Sequence, residues 1–297
     1  MSSYLRKLVE LQKINTPTWL PDNVMFEGLT GSVAYGVSND TSDMDIIGFC
    51  IPPKNLTFPH LVGEIPGFGT QIQRFEQYQE HHIVMPEWKK TFDITIYSIV
   101  KFFQLAMENN PNMVDALFLP RRCVVHSTAI YETMRENRNL FLHKGSWHKF
   151  KGYAYSQFHK IETKVNRSNP KRAESIEKFG YDVKFAYHVV RLILEAEQIL
   201  TEHDLDLERN SALLRAVRSG EWSLDRLKVF LYSKEKDLDD VYNKSSLRYK
   251  PNESAIKELL LNCMEMHYGK IATELHISGD VNTLIAELKS VMEKYEK

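Results

Sequence analysis

Two aspartates one residue apart, Asp43 and Asp45, head the apolar run Met44-Asp45-Ile46-Ile47-Gly48-Phe49-Cys50-Ile51. In an extended strand, side chains at i and i+2 leave the same face. Two carboxylates held together repel each other, and a hard divalent cation between them removes the conflict. Mg2+ typically takes one or two carboxylates together with oxygens of a substrate phosphate. Gly31-Ser32, upstream of the pair, supplies the complementary half. A turn entering a helix offers free N–H groups and partial positive charge to a phosphate. Glycine lets the backbone come close, and the Ser32 hydroxyl adds a donor. Taken singly, a Gly-Ser pair is usually a turn and an Asp-x-Asp a solvated strand end or cap. The ordered set of strand, Gly-Ser, short helix, Asp-x-Asp and apolar strand is far more specific.

These groups need elements to position them. Residues 23–30 and 44–51 are short apolar runs bounded by turn residues and read as strands. Residues 5–13 carry a weak helical pattern. Residues 52–80, with four prolines and three glycines, read as a long irregular insertion of the kind often used functionally. A strand pattern resumes over 81–97, and Thr95 or Ser98 could cap a helix carrying Ile99, Phe102, Phe103 and Ala106. Asn109-Asn110-Pro111-Asn112 breaks it before a second short helix. From about residue 125 the strand signal fades. Helices are expected over 126–164 (broken near Lys144-Gly145-Ser146), 181–202, 209–218, 223–239, 252–271 and 280–296, with a polar, basic connection over 165–180. The expected organisation is α+β: residues 1–140 form a small mixed sheet with helices, and residues 141–297 an all-helical domain.

The 297 residues are 43% hydrophobic and 26% charged, so each part can bury a core. No apolar run approaches the roughly 20 residues of a membrane span. The first residues lack a signal-peptide pattern, and Cys50, Cys123 and Cys263 lie far apart without metal-ligand spacing. A cytoplasmic setting without membrane association is expected. The net charge of −1 hides an excess in residues 141–180, where nine Lys and Arg face three Asp and Glu.

The run GSVAYGVSNDTSDMDIIGF resembles the G-S … D-x-D signature of the DNA polymerase β-like nucleotidyltransferase superfamily. More closely, GS-x-AYG followed by SD-x-D-x-x-GF is similar to the RNA-repair-associated polymerase-β-like family, whose genes often lie beside RNA ligases and which has phage members. The resemblance continues through TFDITIYSIVKFFQLAMENNPNMVDALF and GYDVKFAYHVVRLILEAEQIL and reaches about residue 225. It implies a third catalytic carboxylate on a neighbouring strand, matched by Asp93, with Glu80 and Glu87 as weaker substitutes. It implies two Mg2+ ions held by Asp43, Asp45 and Asp93, with Mn2+ able to substitute, clamping an in-line displacement at the α-phosphate of an NTP, ATP favoured.

In the second half, Lys184, His188, Arg191 and Glu195 share one helical face. They suit nucleotide recognition, with Gly31, Ser32 and Tyr35, or a structural network in which Glu195 and Asp182 pair with the cations; the resemblance favours the first. The basic stretch interleaves Trp147, Tyr153, Tyr155 and Phe158 with lysines, a pattern that suits gripping an acceptor nucleic acid through Lys151, Tyr153, Lys160 and Lys164, or an ordinary amphipathic helix. His81 and His82 read as loop residues, and Trp19 and Trp88 as packing. The expected function is transfer of a nucleoside monophosphate to an acceptor hydroxyl, first an RNA 3′ end in RNA repair, in functional association with an RNA ligase. The alternatives are a protein adenylyltransferase and a non-catalytic nucleotide-sensing or RNA-binding module.

Overall fold

The computed structural model describes residues 3–39, 42–58, 74–163 and 170–269. The expected helix over 280–296 and most of the 52–80 insertion lie outside them.

The chain begins with helix α1 (Tyr4–Glu10), whose N-terminus is capped by the Ser3 hydroxyl accepting from Arg6 N–H. Strand β1 (Val24–Leu29) leads into the single-turn helix α2 (Gly31–Ala34), then β2 (Met44–Cys50) and the short α3 (Lys54–Thr57). A hairpin follows, β3 (Gln77–Met85) and β4 (Lys90–Ser98), then α4 (Ile99–Met107) and α5 (Pro111–Leu117). Ser98 and Asn110 cap these two helices through their side chains. Strand β5 (Val124–Ser127) adds a short edge where the strand signal was expected to fade; four residues with two adjacent valines suffice to pair with β1.

The helices α6 (Ala129–Glu136), α7 (Gly145–Glu162), α8 (Pro170–Phe179), α9 (Val183–Glu202), α10 (Ser211–Arg218), α11 (Leu224–Lys244) and α12 (Glu253–Tyr268) complete the described fold. Helix α8 occupies most of the stretch expected to be a connection. Its basic residues mask a good helix-forming run, Ala173-Glu174-Ser175-Ile176-Glu177-Lys178, and Gly180 at φ +80° ends it.

The sheet order is β3-β4-β2-β1-β5, with β2 and β4 parallel and the other pairs antiparallel. Alternation sorts its side chains. Ile46 and Cys50 of β2 join Phe92, Ile94 and Ile96 of β4 in a core under α1. Ile47 and Phe49 join the larger core on the other face, which continues through α4, α7 and α9 to α12. Helix α9 is buried on most of its circumference and packs against α7, α10 and α11, as its nearly encircling apolar residues require. Among the described residues no helix is long and apolar enough to cross a membrane.

Candidate active site

Asp45 and Asp93 stand directly opposite each other across the parallel pair β2–β4. Because Phe92, Ile94 and Ile46 point to the α1 core, both carboxylates leave the opposite face, towards the helices. Asp43 is exposed just before β2 begins. Burial, then the charge of Asp93, then that of Asp43 raise the pKa of Asp45, against the pull of Lys184 and His81. The charges of Asp93 and Asp43 thus both bear on Asp45.

The turn expected to hold phosphate is tied to the same strand. Thr30 N–H and its hydroxyl both donate to Asp45 O, at 2.8 and 3.2 Å. Gly31 follows at φ +61°, and a Cβ at that position would collide with Asp45 Oδ2. Glycine is needed here on two counts, the left-handed backbone and the approach to the carboxylate. Ser32 lies in the first turn of α2, half-buried.

Asp93 is held from the edge strand. His82 N–H donates to Asp93 Oδ1 at 2.7 Å, and His81 Nδ1 lies 3.5 Å from Oδ2. Both depend on a bulge: the β3–β4 register shifts between Glu80 and Ile83, and His82 adopts φ +57°. The histidines are therefore strand residues on the site, not loop residues.

A cleft of about 340 Å³ joins these groups to the helices, lined by Gly31, Asp45 and Asp93 on one side and by Asp115, His188 and Arg191 on the other. A second cavity, of about 400 Å³, lies apart from them between Pro52, Ser98, Gln104 and Tyr268. Lys184 is exposed and has no ion pair among the described residues, and its charge lowers the pKa of Asp45. His188 is pushed well below its ordinary pKa by burial and by the surrounding Arg191, Lys184, Arg172 and Arg218, so it faces the cleft as a neutral imidazole among cations.

Tyr35 and Arg191 form the floor of this cleft. Both are buried. Arg191 Nη1 donates to Asp115 Oδ2 at 2.5 Å, to both oxygens of Glu195 at 3.0 and 3.1 Å, and to the Tyr35 hydroxyl at 2.7 Å; that hydroxyl also donates to Asp115. Burial opposes the Arg191 charge, but Glu195, Tyr35 and Asp115 together outweigh it and hold its pKa well above normal. Two carboxylates share one guanidinium, and burial drives Glu195 well up despite Arg191. The structural pairing foreseen for Glu195 is therefore present, and Arg191 is committed to it. Asp115, from α5, gave no signal in the sequence beyond a lone acid in an apolar helix.

The four acceptor candidates separate. Tyr153 is 40% exposed, and its hydroxyl accepts from Asn110 Nδ2 at 3.4 Å. Lys160 lies over the Phe185 ring at 5.5 Å. Lys151 is turned to α11, 2.5 Å from Glu235 Oε1, because α7 packs its charged flank against an acidic helix; it is not part of the cleft. Lys164 lies outside the described residues.

The match of known families falls on residues 4–246, which fit the model of the RNA repair pathway DNA polymerase beta family. The chain belongs to that family. As a member of the RNA repair pathway DNA polymerase beta family it is a polymerase-β-like nucleotidyltransferase linked to RNA repair. A solved structure, the nucleotidyltransferase-like protein from Exiguobacterium sibiricum 255-15, aligns over 81% of this chain and 79% of its own at 9% identity and a TM-score of 0.28, too weak a likeness to bear on the site. No curated protein matches the chain.

Family membership implies a divalent metal. Among the described residues no three His, Cys, Asp or Glu side chains gather closely enough to bind an ion unaided. Asp45 and Asp93 nevertheless face each other and repel, which suits Mg2+, an ion that completes its shell with phosphate oxygens and water.

Proposed function

We propose that this protein transfers a nucleoside monophosphate from an NTP to the 3′-hydroxyl of an RNA acceptor and releases pyrophosphate. The observation that carries the reading is the registered pair Asp45 and Asp93 with the start of α2 pressed against Asp45. Asp45 and Asp93, with Asp43 beside them, would hold Mg2+ or Mn2+, ions that neutralise phosphate charge and acidify an attacking hydroxyl. The resemblance implies two such ions.

The chain's own groups divide the work. The N–H groups at the start of α2 and the Ser32 hydroxyl cradle phosphate oxygens, with Lys184 and His188 on the opposite wall. Tyr35 and Arg191 keep α2 and α9 in place beneath them. Asp93 Oδ1 is held by His82 N–H, and Oδ2, 3.5 Å from His81 Nδ1, would accept the proton of the acceptor hydroxyl. The hydroxyl oxygen bonds to the α-phosphorus as the bond to the pyrophosphate oxygen breaks. The family's link to RNA repair supports an RNA acceptor and an RNA ligase as functional partner. ATP is the expected donor, and three free cysteines suit a cytoplasmic setting.

The test is incubation with each α-labelled NTP, magnesium or manganese, and a pool of small RNAs, resolved on a denaturing gel beside an Asp43→Asn, Asp45→Asn variant. Label on RNA with the wild type alone is the expected result and names the base. Label on the protein would instead make this an adenylyltransferase of side chains. Magnesium-dependent NTP binding with no label in any fraction would indicate a nucleotide sensor.

A further inference from the structure

The two ends of the cleft differ in chemistry. On the α9 side the cleft is lined by His188 and Arg191, and the charges of Lys184, Arg172 and Arg218 act on His188 from outside the lining. The other end runs along β4, where Thr95 and Tyr97 follow Asp93 on the same face and Gln79 of β3 stands opposite Thr95. Asn112, at the start of α5, closes this end. None of these four side chains is charged. The Thr95 and Tyr97 hydroxyls and the Asn112 amide have no hydrogen-bond partner among the described residues, although all three line the cleft. Tyr153 stands beside this end: it is the acceptor of the Asn110 amide, and its proximity adds to the burial that raises the Tyr97 pKa.

A wall without cations does not hold phosphates, which bind where Lys and Arg gather. Aromatic rings with amides and hydroxyls bind unpaired bases and ribose hydroxyls instead. Tyr97 lies four residues, about 13 Å of strand, from Asp93. That is room for a nucleoside whose 3′-hydroxyl rests at Asp93 Oδ2.

We propose that Tyr97 and Tyr153 stack the 3′-terminal bases of a single-stranded RNA acceptor, while Gln79, Thr95 and Asn112 hydrogen-bond its base edges and ribose hydroxyls. The acceptor enters along β4 and the triphosphate occupies the opposite end. This rests on the transfer to RNA proposed above.

The experiment compares wild type with Tyr97→Leu, Tyr153→Leu and the ring-preserving Tyr97→Phe. It measures binding of a 5′-fluorescent single-stranded RNA by anisotropy, magnesium-dependent NTP binding, and transfer kinetics. Each Leu variant should raise the RNA Kd and the acceptor KM about five- to a hundred-fold. Tyr97→Phe should stay within about twofold in RNA Kd and acceptor KM, and NTP affinity should be unchanged in all three variants. Leu variants that keep their RNA affinity, or that lose NTP affinity instead, overturn the proposal. A wild type that labels no RNA overturns the function proposed above. In that case the binding arm still decides the subsite: weaker RNA binding by both Leu variants supports it, and a wild type that does not bind the RNA sinks it.

Discussion

The Tyr35 hydroxyl accepts a hydrogen bond from Arg191 Nη1 at 2.7 Å, joining the residue that closes the first turn of α2 to the middle of α9. The same guanidinium holds Asp115 of α5 and Glu195 one turn further along α9. The Gly31-Ser32 turn and the helical wall are thus fastened by one buried side chain.

Removing that side chain should be costly. Arg191→Met leaves Asp115 and Glu195 facing each other without a counter-charge, and breaking a buried ion pair in this way costs about 3–5 kcal/mol. Urea unfolding would measure it. A loss under about 1 kcal/mol would show that the carboxylates protonate and relax freely.

Glu195 and Asp115 also set a pH dependence. Their pKa values are raised by burial, so the folded state binds protons that the unfolded chain has released. Stability is then highest at or below the ordinary carboxylate values and falls as pH rises through the window up to the raised ones. Glu195→Gln should flatten that fall. Unfolding free energies for both proteins from about pH 4 to pH 8 test it, and parallel curves would refute it.

Asp45→Asn should separate stability from activity. It removes a partly buried charge that repels Asp93 and Asp43, so the melting temperature without divalent cation should rise. Nucleotidyl transfer should vanish, as should the stabilisation that magnesium with NTP gives the wild type. A variant that melts lower than wild type without cation would show that Asp45 holds the fold in some other way.

Gly31→Ala should damage the site more than the fold. The methyl would meet Asp45 Oδ2, and alanine at φ +61° is strained, at a cost of about 1 kcal/mol or more. Transfer should fall more than about tenfold while circular dichroism stays native. Unchanged kcat with a native spectrum would mean that α2 shifts without consequence.

Glu27 offers a control away from the cleft. This buried β1 carboxylate accepts from the Ser3 hydroxyl and from Tyr4 N–H, capping α1. Glu27→Ala should cost about 1–3 kcal/mol. Activity per folded molecule should be unchanged, which assays at low temperature beside thermal melts would check.

The strand after Asp43, the Gly-Ser turn and the buried α9 were legible because each is a local pattern: a short apolar run, a turn dipeptide, a helix apolar nearly all round, whereas Asp43 itself falls just before β2 and not on its face. Asp93 was singled out only through the family resemblance, by its place before the helix that leads into Asn109-Asn110-Pro111-Asn112. What escaped depends on contacts between distant segments. Nothing near His82 states that a bulge will aim its N–H at Asp93, and nothing near Arg191 names Asp115. Lys151 carries the same basic-aromatic pattern as its neighbours, yet α11 claims it, since the pattern does not say which helix lies alongside.

The register of β2 against β4 has one more consequence. Asp45 meets Asp93 only when the two strands align as they do; a slip of one residue would bring Phe92 or Ile94 opposite Asp45 and turn Asp93 towards the α1 core. Chain segments 48 positions apart must therefore find each other in a single alignment for the two carboxylates to meet. Under the function proposed above, catalytic turnover doubles as a readout of correct strand pairing.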